Sequence, residues 1–256
     1  MLCDGAALGD RFVAQIGTPD GPGWVAAADL FGAGLPGALH AVGTARGTES
    51  PAVAGALLLD VYAQRVAAPV LATLYREGHD IDARLPAVHV EPVQGRLGRL
   101  AFAHGPSPAG PDRDAARKRV AGRLVASNLE LAADAVHRHT RAGPRVLRGA
   151  IANAVAITFL HLSWPDHDRA RYVDQAQEFL AGVPGLADLV TVEAVTEVGQ
   201  RWMYTARNTC CLAFRTTTNQ SRDQPYCSAC PVLPPGTTRS LFAQATATYA
   251  ERHPRP

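Results

Sequence analysis

Cys210 and Cys211 stand side by side, and after fifteen intervening residues Cys227 and Cys230 frame a C-x-x-C knuckle. A fifth cysteine, Cys3, lies far away in sequence. A secreted disulfide framework scatters an even set of cysteines along a chain; four clustered against one outlier point to metal or redox chemistry instead. Four thiolates suit zinc or an iron–sulfur cluster. Zinc usually takes two spaced knuckles, and the adjacent pair departs from that pattern. A two-iron cluster takes two cysteines per iron and is met from two directions, so it accommodates the adjacency more easily. Neighbouring side chains on an extended backbone point to opposite faces. Both Cys210 and Cys211 can therefore serve one centre only if the chain turns there or the centre is large.

Around this constellation, Trp202, Tyr204 and Tyr226 are the nearest aromatics and Arg207 the nearest charge. The aromatics either pack the core near the cysteines or wall a shallow ligand pocket. Thr209, Ser228 and the backbone amides of the segment are candidate hydrogen-bond donors to sulfur. His137 and His139, two apart on a predicted helix, point in different directions and read as helix-end residues. Arg113, Arg117, Lys118, Arg119 and Arg123 form a basic stretch, read as a solvated face or as a dock for an acidic electron donor. No G-x-G-x-x-G follows a predicted strand, so direct dinucleotide binding is not expected. No Ser-His-Asp arrangement or phosphate loop stands out.

The elements that must position the cysteines are mostly helical. Residues 11–47 read as a loose layer or short strands. Ser50-Pro51 starts a helix that runs toward Gly78, with Pro69 expected to kink or restart it. Residues 85–103 read as a hairpin turning at Gln94-Gly95. Asp112 caps a long helix to about His139, and further helices follow over 145–162 and up to Pro184. Residues 186–206 permit strand or helix. A last helix starts near Thr237 and is expected to bury Leu241, Phe242, Ala245 and Tyr249. The fold class is mainly α with a minor β part, residues 1–205 being the scaffold and substrate-binding region and 206–256 a cysteine-rich metal-binding segment with a terminal helix. Hydrophobic residues at 47% allow a sizeable core, and a formal net charge of +2 gives no argument for nucleic acid. No signal-peptide core is seen in residues 1–20, and the longest apolar stretch, Gly149 to Leu162, is short for a membrane span. A soluble cytoplasmic protein is expected.

The segment Arg207, Cys210-Cys211, Cys227-Ser228-Ala229-Cys230-Pro231 resembles the C-terminal signature of the FhuF-type ferric siderophore reductases. Gly47-Thr48-Glu49-Ser50-Pro51 is similar to a GTDSP-like segment of that family, and the stretch from Pro144 to Asn153 to its "vLWGN" segment. The cysteine loop is five residues longer than the family's usual ten, Asn208 stands where a second Arg is common, and Arg148 replaces the usual Trp. The resemblance implies a [2Fe–2S] cluster on Cys210, Cys211, Cys227 and Cys230. It also implies one-electron reduction of Fe(III) in a siderophore, of hydroxamate type, and an electron donor of flavin or ferredoxin type. Trp202, Tyr204, Arg207 and Tyr226 are the expected substrate contacts. The competing reading is a non-redox helical binding protein stabilised by a four-cysteine zinc site.

Overall fold

The computed structural model describes residues 8–253; Cys3 lies outside them. The fold is mainly α with a minor β part. In chain order the helices are α1 Ala27–Leu30, α2 Leu35–Arg46, α3 Pro51–Glu77, α4 Arg113–Ala121, α5 Glu130–Thr140, α6 Pro144–Ser163, α7 Ala170–Ala181, α8 Thr217–Gln220 and α9 Thr237–Arg252. A π-helical stretch, Gly122–Leu129, joins α4 to α5, so the long helix expected from Asp112 is continuous but locally widened.

Two central helices, α3 and α6, pack against each other and carry much of the core. Both are long and apolar enough to cross a membrane, yet 78% and 72% of their apolar windows are buried inside the molecule. They are core helices. Ser50 caps α3, its hydroxyl accepting from the amide of Val53 at 3.4 Å. The helix does not restart at Pro69: α3 is one element from Pro51 to Glu77. Pro inside a helix costs about 3 kcal/mol, but Val66, Ala67, Ala68, Val70 and Leu71 around it are all essentially fully buried, and that packing offsets the lost hydrogen bond.

The strands are β1 Gln15–Ile16, β2 Val25–Ala26, β3 His79–Asp80, β4 Val88–Val93, β5 Arg96–Phe102, β6 Ser107–Pro108, β7 Val190–Glu197 and β8 Gln200–Arg207. One sheet has the order β1-β5-β4-β2, with β1 parallel to β5 and the other pairs antiparallel. Its hairpin turns at Gln94-Gly95, both at positive φ (48° and 74°), as a two-residue hairpin turn requires. The ambiguous 186–206 segment resolves as a 3₁₀ turn at Ala187–Leu189 followed by strand. β7 and β8 pair from Val190↔Arg207 to Glu197↔Gln200, and the turn between them, Val198-Gly199, again has positive φ at both residues.

Two expectations are corrected. Residues 11–47 are not only short strands: Leu35–Arg46 is a helix, with Pro36 in its first turn and Gly47 ending it in the left-handed region. On α9, Thr246 is the buried residue, whereas Leu241, Phe242 and Tyr249 are half-buried and Ala245 is exposed. That helix sets Phe242 and Tyr249 against Trp202 and Tyr204 of β8 and against Trp164 at the end of α6.

Candidate metal centre

Strand β8 delivers the first cysteine pair. Its last residue, Arg207, donates its amide to the carbonyl of Ala229 at 3.1 Å, which ties the strand end to the C-x-x-C knuckle. Asn208 donates to Leu189 at 3.0 Å. Thr209 is buried against α6 so closely that a Cβ on Gly149 would lie 1.7 Å from its hydroxyl. The turn that the adjacent pair demands is present. Leu212 sits in the left-handed region at φ 65°, and its amide donates to Cys210 Sγ at 3.3 Å. Across the loop, Cys230 donates to the carbonyl of Cys227 at 3.0 Å, closing the knuckle.

The intervening residues Arg215 to Tyr226, though polar, dock on the scaffold. Thr217 donates its amide to the carbonyl of Gly47 at 3.1 Å, and the Thr218 hydroxyl donates to Arg46 at 3.0 Å. Thr216 is fully buried, and the Asn219 amide donates to Pro225 at 3.0 Å, folding the loop back toward Tyr226. The close approach needs Gly47: its φ is 65°, and a Cβ there would sit 1.8 Å from the Thr217 hydroxyl. A polar loop reaches this position because the carbonyls at the end of α2 have no partners inside their own helix and accept its donors.

All four described cysteines are free. Cys211 and Cys230 are buried, Cys210 is half-buried and Cys227 is exposed. Hydrogen bonding among the thiols holds Cys211 far below the usual thiol range and pushes Cys210 and Cys227 up. Beneath them, Arg207 Nη2 donates to both carboxylate oxygens of Asp60 on α3, at 2.8 and 3.1 Å, and Gln64 donates to the same carboxylate at 3.0 Å. Burial works against the charge on Arg207, but Asp60 and the sulfurs of Cys211 and Cys227 outweigh it and raise its pKa. Burial in turn raises the Asp60 carboxyl; Arg207 opposes that rise and Cys211 adds to it.

The donor set fits a thiolate-held metal group: four sulfurs from two chain segments, with a buried cation against them. Two buried polar atoms here have no partner, Arg207 Nη1 and Thr209 Oγ1, and both are able to donate to sulfur. As they stand, among the described residues no group of three or more His, Cys, Asp or Glu side chains is arranged to hold a metal ion. Cys211 is hydrogen-bonded to both Cys210 and Cys227.

Of the expected substrate contacts, only Arg207 and Tyr226 lie at the cysteines. Tyr226 is half-buried, with its ring 5.5 Å from Phe214, a loop aromatic that sequence reading passed over. Trp202 is 1% exposed, under Arg169 (3.7 Å to the ring centroid) and beside Trp164 and Tyr249. Tyr204 packs on Phe242, and its hydroxyl lies 2.8 Å from that of Thr238. Both rings face α9 because they alternate onto that side of β8; they hold the terminal helix rather than wall an open pocket. Arg207 is itself 8% exposed and ion-paired. Ser228 is exposed.

The remaining candidates separate from the centre. Arg119 and Arg123 both pair with buried Asp80, and Arg117 bonds Asp114 and the carbonyl of Glu178, so most of the basic stretch serves the scaffold. The His137 ring lies 2.8 Å from the carbonyl of Ala142 at the end of α5.

Gly149 offers a direct test of this packing. Gly149→Ala gains about 1 kcal/mol of helix propensity, but it forces Thr209 off α6, and overpacking of this kind costs about 1–3 kcal/mol. The variant should unfold at a lower temperature than the parent despite its better helix former. An unchanged or raised melting temperature would mean that the cysteine segment is not pressed on α6.

Compared with known proteins, the chain matches no family model and no curated protein.

Proposed function

We propose that this chain is a ferric-siderophore reductase, carrying a [2Fe–2S] cluster on Cys210, Cys211, Cys227 and Cys230. One observation supports the reading: the end of β8, which leads into Cys210-Cys211, is tied to the Cys227–Cys230 knuckle by the Arg207 amide and the Ala229 carbonyl, above the buried Arg207–Asp60 pair. When bound, the cluster supplies a one-electron carrier. The chain's own residues set its surroundings. Arg207 holds a positive charge beside Cys211 and Cys227, which favours an added electron at this place. Asp60 and Gln64 fix the guanidinium, and the Leu212 amide donates to the Cys210 sulfur. Arg207 is thus a positioning and charge-balancing residue rather than a substrate contact, and the aromatic edge available to a ligand is Phe214 with Tyr226.

The substrate chemistry follows from hardness. Fe(III) in a hydroxamate shell is a hard cation on hard oxygens, whereas Fe(II) is softer and held far more weakly. The electron comes from a reduced flavin or ferredoxin-type partner and ends on the substrate iron. The exposed side of the centre, at Cys227, is where both partners have access. The test is a single turnover. Protein reduced with dithionite and desalted without oxygen is mixed with ferric desferrioxamine and a ferrous trap. About one Fe(II) per chain is expected. A loaded, reduced protein that releases none to this or any other ferric chelate is not a reductase of this class.

A further inference from the structure

We propose that a pocket walled by Arg46, Arg65, Arg96 and Arg222 binds a small organic polyanion, one carrying two or more phosphate or carboxylate groups. The four arginines come from four separate places: the last turn of α2, the middle of α3, the first residue of β5, and the loop between Cys211 and Cys227. They meet around a cavity of about 350 Å³ whose floor is Val42, Leu57, Leu58 and Val61. No Asp or Glu lines it. Four guanidinium groups on one small cavity repel one another unless an anion sits among them, and an Arg fork matches the oxygens of phosphate and carboxylate.

The walls are built rather than incidental. Arg65 is held by backbone carbonyls, donating to Asp10 at 2.9 Å and to Leu97 at 3.2 Å, with Gly98 as a further acceptor. Those bonds fix its position without neutralising its charge. Arg46, Arg96 and Arg222 have no hydrogen-bond or ion-pair partner for their side chains among the described residues. The β4–β5 turn that carries Arg96 is pressed on α2: a Cβ on Gly95 would lie 2.3 Å from the carbonyl of Ala41. In the adjoining cavity, burial first and then Arg65 depress the pKa of Arg11, against a smaller opposing pull from Asp60. An apolar floor under a cationic rim suits an anion with a carbon body better than a bare inorganic ion. Because Arg222 belongs to the cysteine loop, an occupant also bridges that loop to α2 and α3. The proposal does not depend on which metal, if any, the cysteines hold.

Calorimetric titration of the full chain at low salt tests it, with pyrophosphate as the phosphate probe and citrate as the carboxylate probe. Saturable binding of at least one is expected, weakening as salt rises, and the tighter probe identifies the group. Arg96→Glu and Arg222→Glu should each weaken it about tenfold or more, while Arg222→Lys retains part of it. Arg113→Glu, on distant α4, should bind as the parent does. Melting curves verify that the variants are folded; neither Arg96 nor Arg222 has a partner to lose. No binding of either probe at about millimolar concentration, or binding equally strong in both charge reversals, overturns the proposal.

Discussion

Asp60→Ala should lower the unfolding free energy of the full chain by about 3–5 kcal/mol, because it leaves the Arg207 guanidinium buried without its counter-charge. The effect is large for the same reason that the pair itself need not be strongly stabilising. Both charges have left water, at a cost comparable to their attraction, and removing one partner exposes that cost in full. Asp60→Asn keeps acceptor capacity and should lose less. Replacing both residues together, Asp60→Leu with Arg207→Met, should recover most of the single-variant loss. Urea unfolding measures all three. A loss under about 1 kcal/mol for Asp60→Ala would be the behaviour of a surface pair, and would mean that α3 does not anchor the end of β8.

Cys→Ala at Cys210, Cys211, Cys227 or Cys230, taken one at a time, should each remove most of the bound metal group. A thiolate withdrawn from a four-cysteine set leaves a position open to water. The expected fall in affinity is at least roughly tenfold, since changes one shell further out already cost about that much. Cys3→Ala should leave the visible spectrum intact. Metal analysis together with that spectrum checks each variant. Retention of full metal content by any one of the four would remove that cysteine from the set, and loss in Cys3→Ala would overturn the assignment of Cys3 as a bystander.

Which parts of this were legible in sequence follows from what each signal rests on. Caps and turns are local, so Ser50, Asp112 and Gln94-Gly95 were readable from a few neighbours. The second hairpin was harder because Val198 is a β-branched residue at positive φ, an unusual choice before Gly199. Helix α2 hid in a Gly- and Pro-rich stretch, although Pro36 and Gly47 mark its two ends. Pro69 does not restart the helix, because its local cost is outweighed by burial of the residues around it. The same holds at the centre. Spacing alone marked the four cysteines, but nothing near Arg207 in sequence announced Asp60, 147 residues away. Nor did anything local show that the cysteine segment presses closely on Gly47 and Gly149. Trp202 and Tyr204 were chosen for nearness along the chain, but strand alternation turns their rings toward α9.

The most direct test is one visible absorption spectrum of the full chain purified without oxygen, with iron, zinc and acid-labile sulfide measured on the same sample. The expected result is a red-brown protein with about two irons and two sulfides per chain, bleached by dithionite. A colourless protein holding zinc in one-to-one ratio and no sulfide would contradict the cluster, and with it the reductase.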